Sequence, residues 1–396
     1  MSEFVSAGTV GSSDVRRHHI RLVLGLIRDG DGISRADLVA RTGLTKPTVT
    51  SLVSDLDKRG IVRETGTRET ASRGRPARLL ELNAAHAVTL VIEVNIDRVV
   101  VSTFDLRGDL VAENVEQFDE SPHPDEVVRI AANAAAELEA AHRTLAGVAV
   151  AVPAMIDAGV VRSGPHLGWD EVRLADMLHA TTSIGSTPVI VDRLVNFSAA
   201  SERGSRGGLA DDVVVVYGDV GLGSAHLVDG EIVRGAQGLA GEAGHTLLDP
   251  DGPMHECGRR GCAAALIGLG PLVRDLGLGE GRVGAAGMTA PDLLSRISDL
   301  AVDADPETRE VLDRQGRWLG RLVSTLLHLM NPSELLLGGH FTTLAPLYWD
   351  AFDDELRVRA LPQHLRSCEI NVSELGAESV RRGAHRVVAD GYLARF

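Results

Sequence analysis

Aromatic side chains make up only 3% of this 396-residue chain, which leaves valine, leucine and alanine to fill its cores. Lysine occurs twice, at Lys46 and Lys58, so arginine carries nearly all the positive charge, a matter of composition rather than of function. Three cysteines are too few for a disulfide framework, and two of them, Cys257 and Cys262, stand close together, which fits a metal site in a reducing compartment better. No apolar run approaches the roughly 20 residues that cross a bilayer. The first residues also lack the basic stretch and apolar core of a signal peptide. Together these absences predict a cytoplasmic protein with no membrane partner.

What is present is a chain of ordinary globular composition, 44% hydrophobic and 24% charged. Its length exceeds what one compact core organises, so two or three domains are expected. The net charge of −15 argues against nucleic acid as a partner until it is divided along the chain. Residues 1–83 hold 14 basic against 10 acidic side chains, and the remainder holds 26 against 45. A basic head on an acidic body fits a protein whose body repels DNA and confines contact to the head.

Residues 1–13 are small and polar and are expected to form a disordered leader. From Asp14 to Ile27 the apolar positions Ile20, Val23, Leu24 and Ile27 recur at helical spacing. Ser34 is placed to cap a second helix, Arg35–Arg41, and Gly43 to make a turn. Thr45 then caps a third helix reaching about Lys58, with Pro47 in its first turn and Val49, Leu52, Val53 and Leu56 as the buried stripe. Helix, glycine turn, helix is the helix-turn-helix pattern, whose second helix enters the major groove. The inward stripe leaves Lys46, Pro47, Thr48, Thr50, Ser51 and Ser54 on or beside the exposed face, where they suit phosphate and base-edge contacts. An ordinary three-helix cap with a solvated polar face would read the same.

The next segment separates the two. Strand, basic loop and strand are expected at Ile61–Glu64 and Arg78–Leu82, which makes a wing and adds Arg63 to the candidate contacts. Arg73, Gly74, Arg75 and Pro76 put two guanidiniums on an extended backbone that suits a narrow minor groove. A flexible loop touching only phosphates is the alternative, and both bind double-stranded DNA.

Beyond Asn83 the pattern becomes α/β, with strands expected at Val88–Val94, Val99–Phe104, Gly147–Val152, Pro188–Val191 and Val213–Tyr217. An alanine-rich helix is expected at 125–142, and a helix-rich C-terminal half follows. Several segments here resemble the ROK family (repressors, open reading frames and kinases) of the actin-like ATPase superfamily. "GVAVAVPAMIDAGVVRSGPHLGW" at Gly147–Trp169 is similar to the family's ligand loop. "GDVGLGSAHLVDGEIVRGAQGLAGEAGHTLLDPDGP" at Gly218–Pro253 carries its A-G-E-x-G-H signature, and "HECGRRGC" at His255–Cys262 resembles its metal segment. "NPSELLLGGHF" at Asn331–Phe341 resembles its glycine pair near the nucleotide.

The resemblance implies an α/β multidomain fold: a winged helix-turn-helix at 14–83 and a two-lobed actin-like (ribonuclease H-like) ATPase body. The first lobe is expected at 84–205, joined by a C-terminal helix at 376–396. The second is expected at 206–375, carrying the zinc site and a dimerisation surface. It further implies a transcriptional regulator of carbohydrate metabolism, a repressor more than an activator. As a homodimer, with a tetramer also open, it would match a palindromic operator.

His245, His255, Cys257 and Cys262 offer four nitrogen and sulfur ligands within 18 residues, a set that suits tetrahedral structural zinc. The family usually has cysteine where this chain has His255, an exchange that keeps the coordination number and removes one negative charge. Two reduced cysteines with incidental histidines are the alternative.

The kinase chemistry of the family is poorly served. Its phosphate loop D-x-G-G-T corresponds to Glu93–Asp97, where both glycines are gone and Asp97 replaces the threonine. Its E-N-D-x-N segment corresponds to residues 192–196, which puts Arg193 at a sugar-binding asparagine and Leu194 at the catalytic aspartate. Leucine cannot accept a proton, and loss of a general base costs roughly 10²–10⁴-fold in rate. Ala264 replaces a sugar-binding glutamate and His166 a sugar-contacting asparagine, whereas Glu242, His245, Asn196 and Glu202 are kept. No catalytic residue is therefore assigned. His166, Arg193, Glu242 and His245 remain as candidates for binding a sugar or phosphosugar effector, with Arg193 drawing an anion. A vestigial cleft in which Arg193 pairs internally, and an active kinase with a vestigial head, are the competing readings.

Overall fold

The computed structural model describes residues 12–28, 30, 32–68, 77–205, 212–219, 221–279 and 290–396. The leader at 1–11 and the wing tip with Arg73, Gly74, Arg75 and Pro76 lie outside the described residues. The head starts with α1 (Ser12–Arg28), which begins within the expected leader, and the short β1 (Ile33–Ser34). There follow α2 (Arg35–Thr42), α3 (Lys46–Lys58), β2 (Val62–Arg68) and β3 (Ala77–Leu82). Ser34 caps α2 in a reciprocal box with Asp37, and Gly43 ends it with a left-handed φ of 69°. Thr45 caps α3, whose buried side chains are Val49, Leu52, Val53 and Leu56, the stripe read from the sequence. The wing strands are longer than expected and pair in one sheet of order β1-β3-β2. Glu64 of β2 ties this sheet to α2 through Arg35 and to β3 through Arg78. Those two guanidiniums hold its carboxyl below the usual range.

The body opens with β4 (Val88–Val94), β5 (Arg98–Asp105), β6 (Leu110–Gln117), α4 (Pro124–Ala140) and β7 (Leu145–Val152). The hairpin strands β8 (Met155–Asp157), β9 (Val160–Gly164) and β10 (Trp169–Val172) form a small sheet of their own. After them come α5 (Leu174–His179), β11 (Val189–Arg193) and α6 (Leu194–Ser205). Five strands make the sheet β11-β7-β4-β5-β6, with β11, β7 and β4 parallel. Every residue of β4 is buried, Thr89 and Glu93 included, as befits the central strand of a covered sheet. Largely polar β6 forms an exposed edge that the sequence reading did not anticipate.

The second lobe repeats the wiring. β12 (Val213–Gly218), β13 (Leu222–Val228) and β14 (Glu231–Ile232) lead through α7 (Ala263–Leu266), α8 (Leu269–Asp275), α9 (Ala290–Val302) and the 25-residue α10 (Pro306–Met330). β15 (Glu334–Gly339), α11 (Phe341–Leu344), α12 (Trp349–Arg359), α13 (Pro362–Ser367), β16 (Glu369–Val372) and α14 (Glu378–Leu393) complete the chain. The sheet order is β14-β13-β12-β15-β16, again an antiparallel hairpin flanking three parallel strands. One apolar cluster joins Val91 and Ala149 of the first sheet to Val213 and Leu336 of the second through Phe197 of α6 and Ala384 of α14. The two helices therefore form the layer between the lobes. The cleft lies beside this layer, at the carboxyl ends of β7, β11 and β12, where parallel sheets place ligands.

Candidate functional site

The inter-lobe cleft opens to solvent. Val152, Pro153, Leu194, Val195 and Leu222 give it an apolar floor, and His166, Arg193, Asp219, Glu242, His245 and Glu256 supply its polar groups. All four ligand candidates from the sequence thus face one cavity. Leu194, at the first position of α6, is buried in the wall. Ala264 also lines the cleft.

Arg193 does not offer the free positive charge expected from the sequence. Its guanidinium donates to the carbonyls of Ala240 at 2.7 Å and Gly241 at 3.2 Å, and lies 3.1 Å from the Glu242 carboxylate. A buried guanidinium must have its donors satisfied, and the signature loop crossing from the second lobe does this. Beside it, Asp192 takes a bidentate contact from Arg234 and accepts from the Asn196 amide at 2.7 Å. Across the mouth, His166 Nδ1 stands 2.7 Å from Glu256. Each of these three pairs joins the first lobe to the second. Sequence reasoning missed Arg234 and Glu256; the lone carboxylate inside "HECGRRGC" was the available signal.

The segment Glu93–Asp97, expected from the sequence to match the family's phosphate loop, has both its carboxylates in ion pairs. Glu93 is buried and pairs with Arg381 at 3.0 Å, and Asp97 pairs with Arg98 at 3.0 Å. Asn95 donates to Glu93 at 3.3 Å. At the opposite wall, His340 follows the glycine pair and packs over Gly218, with Nδ1 3.2 Å from the Asp219 carbonyl. Burial lowers its pKa to about 4, so the ring is neutral.

Donor atoms of His245, His255, Cys257 and Cys262 lie within 4.8 Å of one another. The two sulfurs are 3.7 Å apart. Two thiolates at about 2.3 Å from a tetrahedral zinc are separated by about 3.8 Å, so this donor set fits the ion. Local backbone explains the convergence. Gly261 has φ 67°, and a Cβ there would fall 1.5 Å from the Asp249 carbonyl oxygen, so only glycine lets the two cysteines close on each other. Burial, reinforced by neighbouring His245, keeps the His255 pKa below its usual value and its ring neutral, the form that ligates metal.

On the head, Lys46, Pro47, Thr50 and Ser51 are exposed along α3. Thr48 is half-buried, and its hydroxyl lies 2.8 Å from that of Thr45 as part of the cap. Arg63 is half exposed but engages Glu81 at 2.5 Å across the wing.

A winged helix fused to a two-lobed kinase-type body defines the class: a regulator built on a sugar-kinase fold. The ROK family profile matches residues 89–390, and the chain belongs to that family. Residues 13–72 match a MarR family profile, that of a winged-helix domain. The xylose repressor of Bacillus spizizenii is 26% identical over 386 residues, covering 96% of this chain and 97% of that one. The DNA-binding transcriptional repressor Mlc of Escherichia coli is 23% identical, covering 93% of this chain and 92% of its own. Among solved structures, a ROK family transcriptional regulator homologous to Mlc superposes with a TM-score of 0.74 at 23% identity, covering 96% and 98% of the two chains. That likeness establishes the same winged-helix and two-lobed fold over the whole length.

Proposed function

We propose that this chain is a transcriptional repressor that binds duplex operator DNA through its head and responds to a sugar effector in the cleft, without catalysing phosphoryl transfer. The observation carrying the reading is the pairing of an exposed recognition helix with a kinase-type cleft whose base position is Leu194. Full-length similarity to proteins named as repressors supports it. Lys46, Pro47, Thr48, Thr50, Ser51 and Arg63, with Arg73, Gly74 and Arg75 of the wing tip, are the proposed DNA contacts. A homodimer would present two such heads to a palindromic site. Zinc held by His245, His255, Cys257 and Cys262 would order the loop that carries Glu242, His245 and Glu256 to the cleft.

The geometry favours an uncharged effector over a phosphorylated one. Arg193 is neutralised in place by Glu242, and Asp219 and Glu256 leave the polar wall acidic. His166, Glu242 and His245 are the hydroxyl partners proposed for a sugar.

Selection of duplexes from a random pool by the purified chain tests the DNA-binding half. Enrichment of a two-fold symmetric sequence is the expected result, and no enrichment at low salt would refute it. A coupled ATPase assay with a hexose panel tests the other half, because turnover is incompatible with the reading.

A further inference from the structure

The head is packed onto the body by the C-terminal end of α14. Tyr392 and Leu393 are buried in the same apolar cluster as Val23, Leu52 and Leu80 of the head. The Tyr392 hydroxyl lies 3.0 Å from His86 Nε2, in the junction between head and body. Asp390 pairs with Arg28 of α1, and the Arg59 guanidinium stands 5.9 Å over the Phe396 ring.

At its other end, Arg381, one turn into the helix, pairs with Glu93 near the end of β4. Between its ends, α14 runs backbone to backbone along α6. A Cβ on Gly383 would fall 1.7 Å from the Phe197 carbonyl oxygen, and the hydroxyls of Ser198 and Ser379 meet at 2.9 Å. α6 in turn starts at the cleft with Leu194. Such packing leaves little room for one helix to move without the other. Both lie between the two sheets, so a change in lobe closure must displace at least one of them.

We infer that α14 is a relay: it carries lobe closure, sensed at the cross-cleft pairs, to the head through the clamp of Tyr392, Phe396 and His86. Its 16 residues span about 24 Å at 1.5 Å per residue. The three clamp residues are positioning residues, since they touch neither cleft nor exposed recognition face. The inference rests on the cleft-regulated DNA-binding reading above and names the part that does the regulating.

A two-by-two comparison in the full-length chain tests it. Arg234→Ala removes the cation that ties the second lobe to Asp192, and Phe396→Ala removes the ring at the head seam. Fluorescence anisotropy with a duplex selected by the parent chain reads affinity for all four proteins. The relay requires Arg234→Ala to shift affinity about fivefold or more in the parent background, and less than about twofold with Phe396→Ala present. Equal shifts in both backgrounds, or no shift in the parent, overturn it. Hydrogen exchange over 61–68 and 77–87 gives a reading that needs no DNA: Arg234→Ala must alter exchange there only while Phe396 is intact. Exchange that ignores Arg234→Ala overturns the relay even if no duplex binds, whereas absence of duplex binding overturns the DNA-binding reading itself. Tyr392→Phe, which removes only the hydrogen bond to His86, replaces Phe396→Ala if that chain does not fold.

Discussion

The Arg193 guanidinium lies 3.1 Å from the Glu242 carboxylate, and its remaining donors meet the carbonyls of Ala240 and Gly241. The pair bridges the lobes and sets the charge of the cleft, so it bears on effector choice and on stability together.

Removing Glu242 leaves a buried guanidinium with carbonyl partners only. Glu242→Ala is expected to cost about 1–3 kcal/mol in urea unfolding. Adding Arg193→Met to it should restore part of that loss, because the uncompensated charge goes with it. If the double variant is weaker than the single, the guanidinium contributes through its carbonyl bonds instead. In thermal-shift screens, neutral sugars should raise the melting temperature and their phosphorylated forms should not.

Restoring the missing base should not restore a kinase. On the proposed reading Leu194→Asp returns a carboxylate to the base position, yet Glu93–Asp97 still lacks glycine and its carboxylates are held in the Glu93–Arg381 and Asp97–Arg98 pairs. Positioned phosphates are as necessary as the base for phosphoryl transfer. Coupled assays of Leu194→Asp with glucose and ATP are expected to stay at the no-enzyme background. Measurable turnover would show that the loop still admits nucleotide.

Purified protein is expected to carry one zinc per chain by elemental analysis. Cys257→Ser should lose it and lower the melting temperature, since structural zinc is coupled to folding. His255→Cys should retain it, with the coordination number unchanged. A zinc-free parent chain of full stability would leave the four side chains as a fortuitous cluster.

Much of this was legible in the chain, and the reasons are local. Ser34 and Thr45 cap helices through contacts with residues three positions on, so the helix-turn-helix and its buried stripe could be read directly. The convergence of the candidate metal cluster was legible because His255, Cys257 and Cys262 are close in sequence. Arg193 was placed in the cleft, but whether it pairs internally was left open, because its partners lie 47 to 49 positions away on the other lobe. His166 was likewise placed in the cleft, but its pairing with Glu256, 90 positions away on the other lobe, was beyond sequence reasoning for the same reason. The edge strand β6 was missed because its mostly exposed residues show no burial alternation. The clamp at Tyr392 and Phe396 joins the two ends of the chain, which no local pattern reports.

Two buried histidines should make the fold sensitive to mild acid. His340 and His385 are each held to a pKa of about 4, chiefly by burial. His385 also lies 2.8 Å from the Thr89 hydroxyl, while His340 Nε2 has no protein partner among the described residues. An unfolded histidine titrates near 6.5. Between pH 6.5 and about 4 the unfolded chain therefore binds more protons, and stability falls as pH falls. Each ring contributes a slope of about 1.4 kcal/mol per pH unit. Urea unfolding across this window should show the decline, and His385→Gln, whose amide can still reach Thr89, should remove about half of the histidine slope. An unchanged slope in that variant would assign the acid sensitivity elsewhere.

On the proposed reading the exposed side of α3 makes two different demands on DNA, and substitution should separate them. Lys46 is exposed in the first turn, where an ammonium meets phosphate and carries no sequence information. Lys46→Ala should weaken binding to every duplex by a similar factor and reduce the slope of log affinity against log salt by about 1. Thr50, one turn further along and exposed, has a hydroxyl and a methyl that suit a base edge. Thr50→Ala should leave the salt slope intact and broaden preference at one base pair in each half-site, read by repeating the duplex selection. Both substitutions remove side chains directed at solvent, so unfolding midpoints should move by no more than about 0.5 kcal/mol. If Thr50→Ala instead weakens all duplexes equally, the helix lies along the backbone, and sequence is read by the wing.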